Sequence, residues 1–236
     1  MASGSIAAIL AVQNHLVFAA IFVALGIFFD FFDGFFARLL QVSSSLGLQL
    51  DSLADMITSG LVPGIVMFQL LIQSQSDGAE ALIYRWETIP TFEFDFPPIA
   101  LAGLLITVAS GYRLAKFNID TRQTSSFIGL PTPANAILIM SLPLILIYQN
   151  TPHVSSVLLN QWFLLGLTVF SSVILNAELP LFGLKFKSWS FKENWHRYFF
   201  LLFCIAAIIT LQFIALPVII LIYLLFNIAL YYVNED

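Results

Sequence analysis

The chain has 236 residues, 59% of them hydrophobic and only 10% charged, with a mean hydropathy of +0.92 and a formal net charge of -5. Soluble domains carry roughly 25% charged residues. The composition therefore excludes a water-soluble enzyme and describes an all-α, multi-pass integral membrane protein with no separate soluble domain. The single Cys204 excludes an internal disulfide. The aromatic runs show no nucleic-acid pattern and read as packing and lipid-facing surfaces.

A membrane-spanning helix needs about 20 mostly apolar residues. In chain order, apolar segments are predicted at 4–13 (short), 16–40, 50–73, 97–115, 132–149, 157–177, 198–214 and 216–233. Polar breaks separate them near 13–15, 74–80, 118–133, 150–156 and 184–197, and the last two segments join tightly around Pro217. No basic start marks residues 1–12 as a cleavable leader.

Lys and Arg set the orientation. Eight of the nine (Arg38, Arg113, Lys116, Arg122, Lys185, Lys187, Lys192 and Arg197) fall on one side of these segments, and only Arg85 falls on the other. The positive-inside rule assigns the eight-residue side to the cytoplasm.

Four aspartates interrupt the second and third segments: Asp30, Asp33, Asp51 and Asp55. A carboxylate at membrane depth costs several kcal/mol, so such residues carry tasks. On a helix, Asp30, Asp33, Gly34, Ala37 and Arg38 share an arc of about 140°, and Asp51 and Asp55 lie one turn apart on one face. Hard cations such as Mg2+ and Mn2+ prefer carboxylate oxygens and are often held jointly with substrate phosphates. Four carboxylates exceed the need of one ion, and two ions can clamp a diphosphate. A polar helix seam or a divalent-cation transport path is the competing reading of the same residues. His15, His153 and His196 show no ligand spacing and read as surface residues.

The pattern Asp30-x2-Asp33-Gly34-x2-Ala37-Arg38-x8-Gly47-x3-Asp51-x3-Asp55 resembles, at every position, the signature of the CDP-alcohol phosphotransferases. The resemblance implies six core transmembrane helices, a homodimer, and a site open to the cytoplasm. Two extra C-terminal helices would follow that core, giving a core at 1–177 and a loop plus transmembrane hairpin at 178–236. The resemblance also implies that Asp30, Asp33, Asp51 and Asp55 bind Mg2+ or Mn2+, with Asp55 available as a base. Gly34, Ala37, Arg38 and Gly47 would meet the nucleotide and phosphates.

Within the family, Arg113-Leu114-Ala115-Lys116-Phe117-Asn118 and Gly129-Leu130-Pro131-x-Pro133-Ala134 are similar to the phosphatidylserine synthase branch of bacteria and archaea. That similarity implies CDP-diacylglycerol as donor, L-serine as acceptor and a prokaryotic cytoplasmic membrane. Glycerol 3-phosphate and inositol phosphate are the alternative acceptors. Arg113 and Lys116 are candidates for the serine carboxylate or the lipid phosphate, and helix-end anchoring is their simpler reading. Relatives of this kind begin with a longer amphipathic stretch, so MASGSIAAIL reads as a shortened start.

Overall fold

The computed structural model describes residues 1–40, 44–75, 96–119, 127–181 and 191–235. They form ten α-helices: α1 (Ala2–Val12), α2 (Leu16–Leu39), α3 (Ser45–Asp55), α4 (Val62–Gln73), α5 (Leu105–Ile119), α6 (Thr132–Tyr148), α7 (Pro152–Leu158), α8 (Gln161–Asn176), α9 (Phe191–Leu211) and α10 (Ala215–Glu235). The expected helical architecture holds, apart from one small antiparallel pair in which Phe127–Ile128 meets Pro180–Leu181.

One rod occupies the centre. Helices α3 and α4 join through a π-helical segment, Met56–Leu61, into a continuous run Ser45–Gln73. Its most apolar window is 61% buried, against 22% for the α2 span and 33% for Pro98–Ile119. Pro63 explains the wide turn. Proline lacks an N–H and its ring crowds the carbonyl four residues back. The backbone instead bonds five residues back, with the Val62 N–H donating to Ile57 O. Around α4, the buried side chains of Val62, Val66, Met67, Leu70 and Leu71 meet Ala7, Val23, Ile106, Ile139 and Leu164 from α1, α2, α5, α6 and α8.

Helices α1 and α2 form a hairpin turned at Asn14, which adopts a left-handed φ of 61°. The far end of the rod holds this turn: Gln69 Nε2 donates to Val12 O and Gln73 Nε2 to Asn14 Oδ1, each at 2.9 Å. Near the other end, Thr58 is wedged between Gly4 and Gly26, where any side chain would collide with it. Three helices thus approach closely just beneath the aspartates.

Among the described residues, four stretches are long and apolar enough to cross a membrane, or five if α7 and α8, bent by 57°, count as one span. The expected six core spans are therefore not reached on length. The reason is that α1, with 11 residues, and α6, with 17, fall short of the roughly 20 that a perpendicular crossing needs. The longest stretch, Tyr198–Ala229, is not one straight span. It breaks at Gln212, whose φ is 51°, and folds back so that the Phe200 and Tyr223 rings lie 5.6 Å apart. Gln149 clasps this second hairpin at its tip, donating to Leu211 O and accepting from the Ile214 N–H, both at 3.0 Å. Ile220 and Leu224 of α10 then pack on Leu138, Ile174, Leu130 and Leu181.

Gly103 marks a backbone contact without slack, because a Cβ there would lie 2.5 Å from Phe68 N and 2.9 Å from Met67 C. Gly103→Ala should cost about 1–3 kcal/mol through overpacking, read as a lower midpoint of thermal unfolding in detergent. Gly166→Ala, whose Cβ meets nothing within 4 Å, should leave the midpoint unchanged or raise it.

Candidate functional site

The third helix brings its carboxylates to α2 by a sequence of local choices. Ser44 is extended (φ -133°, ψ 149°) and its Oγ accepts from the Gly47 N–H at 3.0 Å, capping α3. From that start Asp51 and Asp55 fall one turn apart. Helix α2 delivers Asp30 and Asp33 three residues apart in its last turns.

All four carboxylates line one cavity of about 590 Å³, together with Gly47 and Ala54 of α3, Gly26 and Phe29 of α2, and Met1, Ala2 and Ser3. Asp30 and Asp51 come within hydrogen-bonding reach, and Asp33 and Asp55 lie close enough to act electrostatically on Asp30. Asp30 and Asp55 are half-buried, whereas Asp33 and Asp51 are exposed. Among the described residues no three of these groups close into a preformed coordination set.

Two like charges about 4 Å apart repel by roughly 4 kcal/mol at an effective dielectric near 20. The fit to a cation follows from this chemistry: four acidic side chains from two helices, all oxygen donors, share one cavity. Hard divalent ions match that donor set. Among the described side chains, Arg113 on α5 is the cation close enough to Asp55 to act on it electrostatically, although it does not itself line the cavity.

Arg113 is 7% exposed. Its Nη2 donates to Gly129 O at 3.4 Å, and its Nε has no hydrogen-bond partner among the described residues. Lys116, the other candidate on α5, pairs instead with Glu178 at 3.2 Å and does not line the cavity. Gly34 and Ala37 are exposed on α2 outside the cavity lining, and a Cβ on Gly34 would meet open space. Arg38 lies in the last turn of α2, and its side chain falls outside the described residues.

Several polar residues around the site were not singled out from the sequence. Ser52, between the two aspartates of α3, exchanges hydrogen bonds with Asn118 of α5 at 3.0–3.1 Å and so ties the carboxylate helix to the arginine helix. Asn135 and Ser171 are both fully buried and joined at 2.6 Å. Asn176 Nδ2 donates to Ala109 O, one turn before Arg113. Their sequence signal was available, since polar side chains within apolar segments face the bundle interior.

The sequence profile of the CDP-alcohol phosphatidyltransferases matches residues 1–174, more than half of the chain. The chain belongs to this family. Among curated relatives of this CDP-alcohol phosphatidyltransferase, a CDP-diacylglycerol–serine O-phosphatidyltransferase of Bacillus subtilis is 32% identical over 115 residues, covering 49% of this chain and 54% of the relative. A protein of the same name from Helicobacter pylori is 27% identical over 181 residues, covering 75% and 66%. An archaetidylserine synthase of Methanothermobacter thermautotrophicus is 30% identical over 141 residues, covering 59% and 52%. The matched regions thus span about half to two-thirds of these relatives' lengths.

If the carboxylates of this family member repel one another when bare, Asp51→Asn should raise the unfolding midpoint in chelator. Added Mg2+ or Mn2+ at about 100 times its dissociation constant should stabilise the unsubstituted protein by roughly 2.7 kcal/mol. The same additions should leave Asp51→Asn nearly unshifted. A thermal-shift titration in detergent reads both effects, and equal ion-induced shifts in the two proteins would contradict the shared site.

Proposed function

We propose that this chain transfers the phosphatidyl group of CDP-diacylglycerol to L-serine, giving phosphatidylserine and CMP. The observation that carries the reading is that the four aspartates of the family signature line one cavity, with Arg113 beside Asp55. Family membership supports the reaction class, and the names of the relatives support serine as acceptor. Glycerol 3-phosphate or an inositol phosphate would use the same chemistry.

Asp30, Asp33, Asp51 and Asp55 would hold Mg2+ or Mn2+, two ions on this reading, which when bound supply charge neutralisation to the donor's diphosphate. The chain's own residues do the rest. Gly26 and Thr58 line the cavity beside the carboxylates and so limit the space open to a ligand. Gly47, on the cavity wall, lets a nucleotide approach the α3 backbone, and Gly34, Ala37 and Arg38 would extend that surface along α2. Asp55 is half-buried and would accept the proton of the attacking hydroxyl. Arg113 offers a guanidinium N–H to a carboxylate, a geometry in which arginine forms strong charge-assisted bonds. Lys116 would have to leave Glu178 to reach an anionic group. Holding donor and acceptor in line, with charge stabilised in a low-dielectric site, is the main contribution such a protein makes.

The family signature and Arg113 lie within 1–177, and we take this as the catalytic core, with 178–236 an accessory hairpin. We take the chain to act as a homodimer in a prokaryotic cytoplasmic membrane with its cavity toward the cytoplasm; the Lys and Arg distribution supports the orientation, and the bacterial and archaeal sources of most of the relatives support the membrane.

The test is CMP release from CDP-diacylglycerol by the purified full-length chain, with and without serine. Release should require serine and a divalent ion and should stop with chelator. Asp→Asn at each of positions 30, 33, 51 and 55 should lower turnover by about 100-fold or more, the scale for losing a preorganised charge contact. Turnover with another alcohol but not with serine would change the acceptor. Divalent-ion flux through sealed vesicles without any lipid nucleotide would replace the enzyme reading with a transporter. Arg113→Ala should raise the KM for serine at least about 10-fold while leaving that for the donor within about twofold.

A further inference from the structure

Arg113 is aimed by a backbone corner that belongs to other elements. Gly129 precedes α6 with a left-handed φ of 74°, a conformation that an L side chain resists. A Cβ at this position would lie 2.6 Å from Leu175 O and 2.9 Å from Ala177 O, both backbone atoms at the end of α8. The corner is fixed on each side. The Gly129 N–H donates to Leu179 O at 2.9 Å, the Leu130 N–H donates to Ile174 O at 3.0 Å, and Ile128 pairs with Pro180. Lys116, one turn beyond Arg113, anchors the same region through Glu178. Gly129 therefore presents one carbonyl inward, and that carbonyl receives Arg113 Nη2.

We propose that Gly129 is a positioning residue: its side-chain-free, left-handed corner holds the Arg113 guanidinium toward Asp55, and thereby sets how tightly the acceptor's anionic group is bound. This rests on the reading of Arg113 as an acceptor contact. The physical logic is directional. A guanidinium is a planar fork whose hydrogen bonds depend on orientation. With one arm bound to a fixed carbonyl, the remaining N–H groups keep one direction, and the buried Nε has no hydrogen-bond partner among the described residues. If the corner shifts, the charge stays nearby but its direction is lost.

The experiment is a double-mutant cycle on the full-length protein with Gly129→Ala, Arg113→Lys and the pair. Gly129→Ala should raise the acceptor KM about 10-fold and change the donor KM by less than about twofold, a split that general loss of fold does not produce. Arg113→Lys keeps the charge without the fork and should give the same pattern, so the proposal stays testable if Gly129→Ala folds poorly. The double variant should be no worse than the worse single variant, because both remove one interaction. Independent, multiplying effects, or a wild-type acceptor KM in Arg113→Lys, overturn the proposal. The acceptor itself is settled beforehand from unsubstituted protein, so a wrong acceptor and a wrong role for Gly129 give different results. A structure of Gly129→Ala provides a readout without turnover. A guanidinium turned away from Asp55 supports the proposal, and an unmoved one overturns it.

Discussion

Mutual repulsion among four carboxylates at one end of an apolar bundle is the constraint to which the rest of this structure answers. Such a group is stable only if the scaffold holds it together more firmly than the charges push it apart, or if an opposite charge is brought in. Both devices are present. The two acidic helices are locked just below the charges where Thr58 fills the space left by Gly4 and Gly26. The opposite charge is Arg113, supplied from a third helix and tied to the acidic one through Ser52 and Asn118.

The central rod links this chemistry to the fold. Its lower half, α4, is the most thoroughly packed element, and its upper half, α3, carries two of the carboxylates and has no buried residue. The π-helical join lies between the two. Pro63 forces the join, and the change in helical phase it introduces separates the face that packs from the face that presents Asp51 and Asp55. A rigid lower half and an open upper half suit a residue pair that must be accurately placed yet reachable by a ligand.

The acidic site was largely legible in the sequence because apolar surroundings make each aspartate conspicuous, and because spacings of three and four residues have one meaning on a helix. Gly47, expected from the family signature, lies on the cavity wall. Helical spacing was less informative for Gly34 and Ala37, which share the helical arc of Asp30 but lie outside the cavity lining. An arc of about 140° is wider than the strip one cavity touches. Lys116 could not be separated from Arg113 by position alone, since its partner Glu178 is 62 residues away. The six core spans implied by the resemblance are not reached on length among the described residues. Hydropathy registers apolar length, whereas the break at Gln212 and the short α1 and α6 depend on backbone conformation and on neighbours. The 198–214 and 216–233 pair was readable because Pro217 punctuates it.

Phe29 lines the cavity and is also 58% exposed, and Phe28, Phe31, Phe35 and Phe36 are exposed on the same helix. Phe29 therefore borders both the acidic chamber and the exposed aromatic surface of α2. An amphiphile whose head fits the chamber could keep its tails in the bilayer throughout. Its effective concentration would then be a mole fraction in a two-dimensional solvent, and occupancy would fall on dilution with inert lipid even when the bulk amount stayed constant.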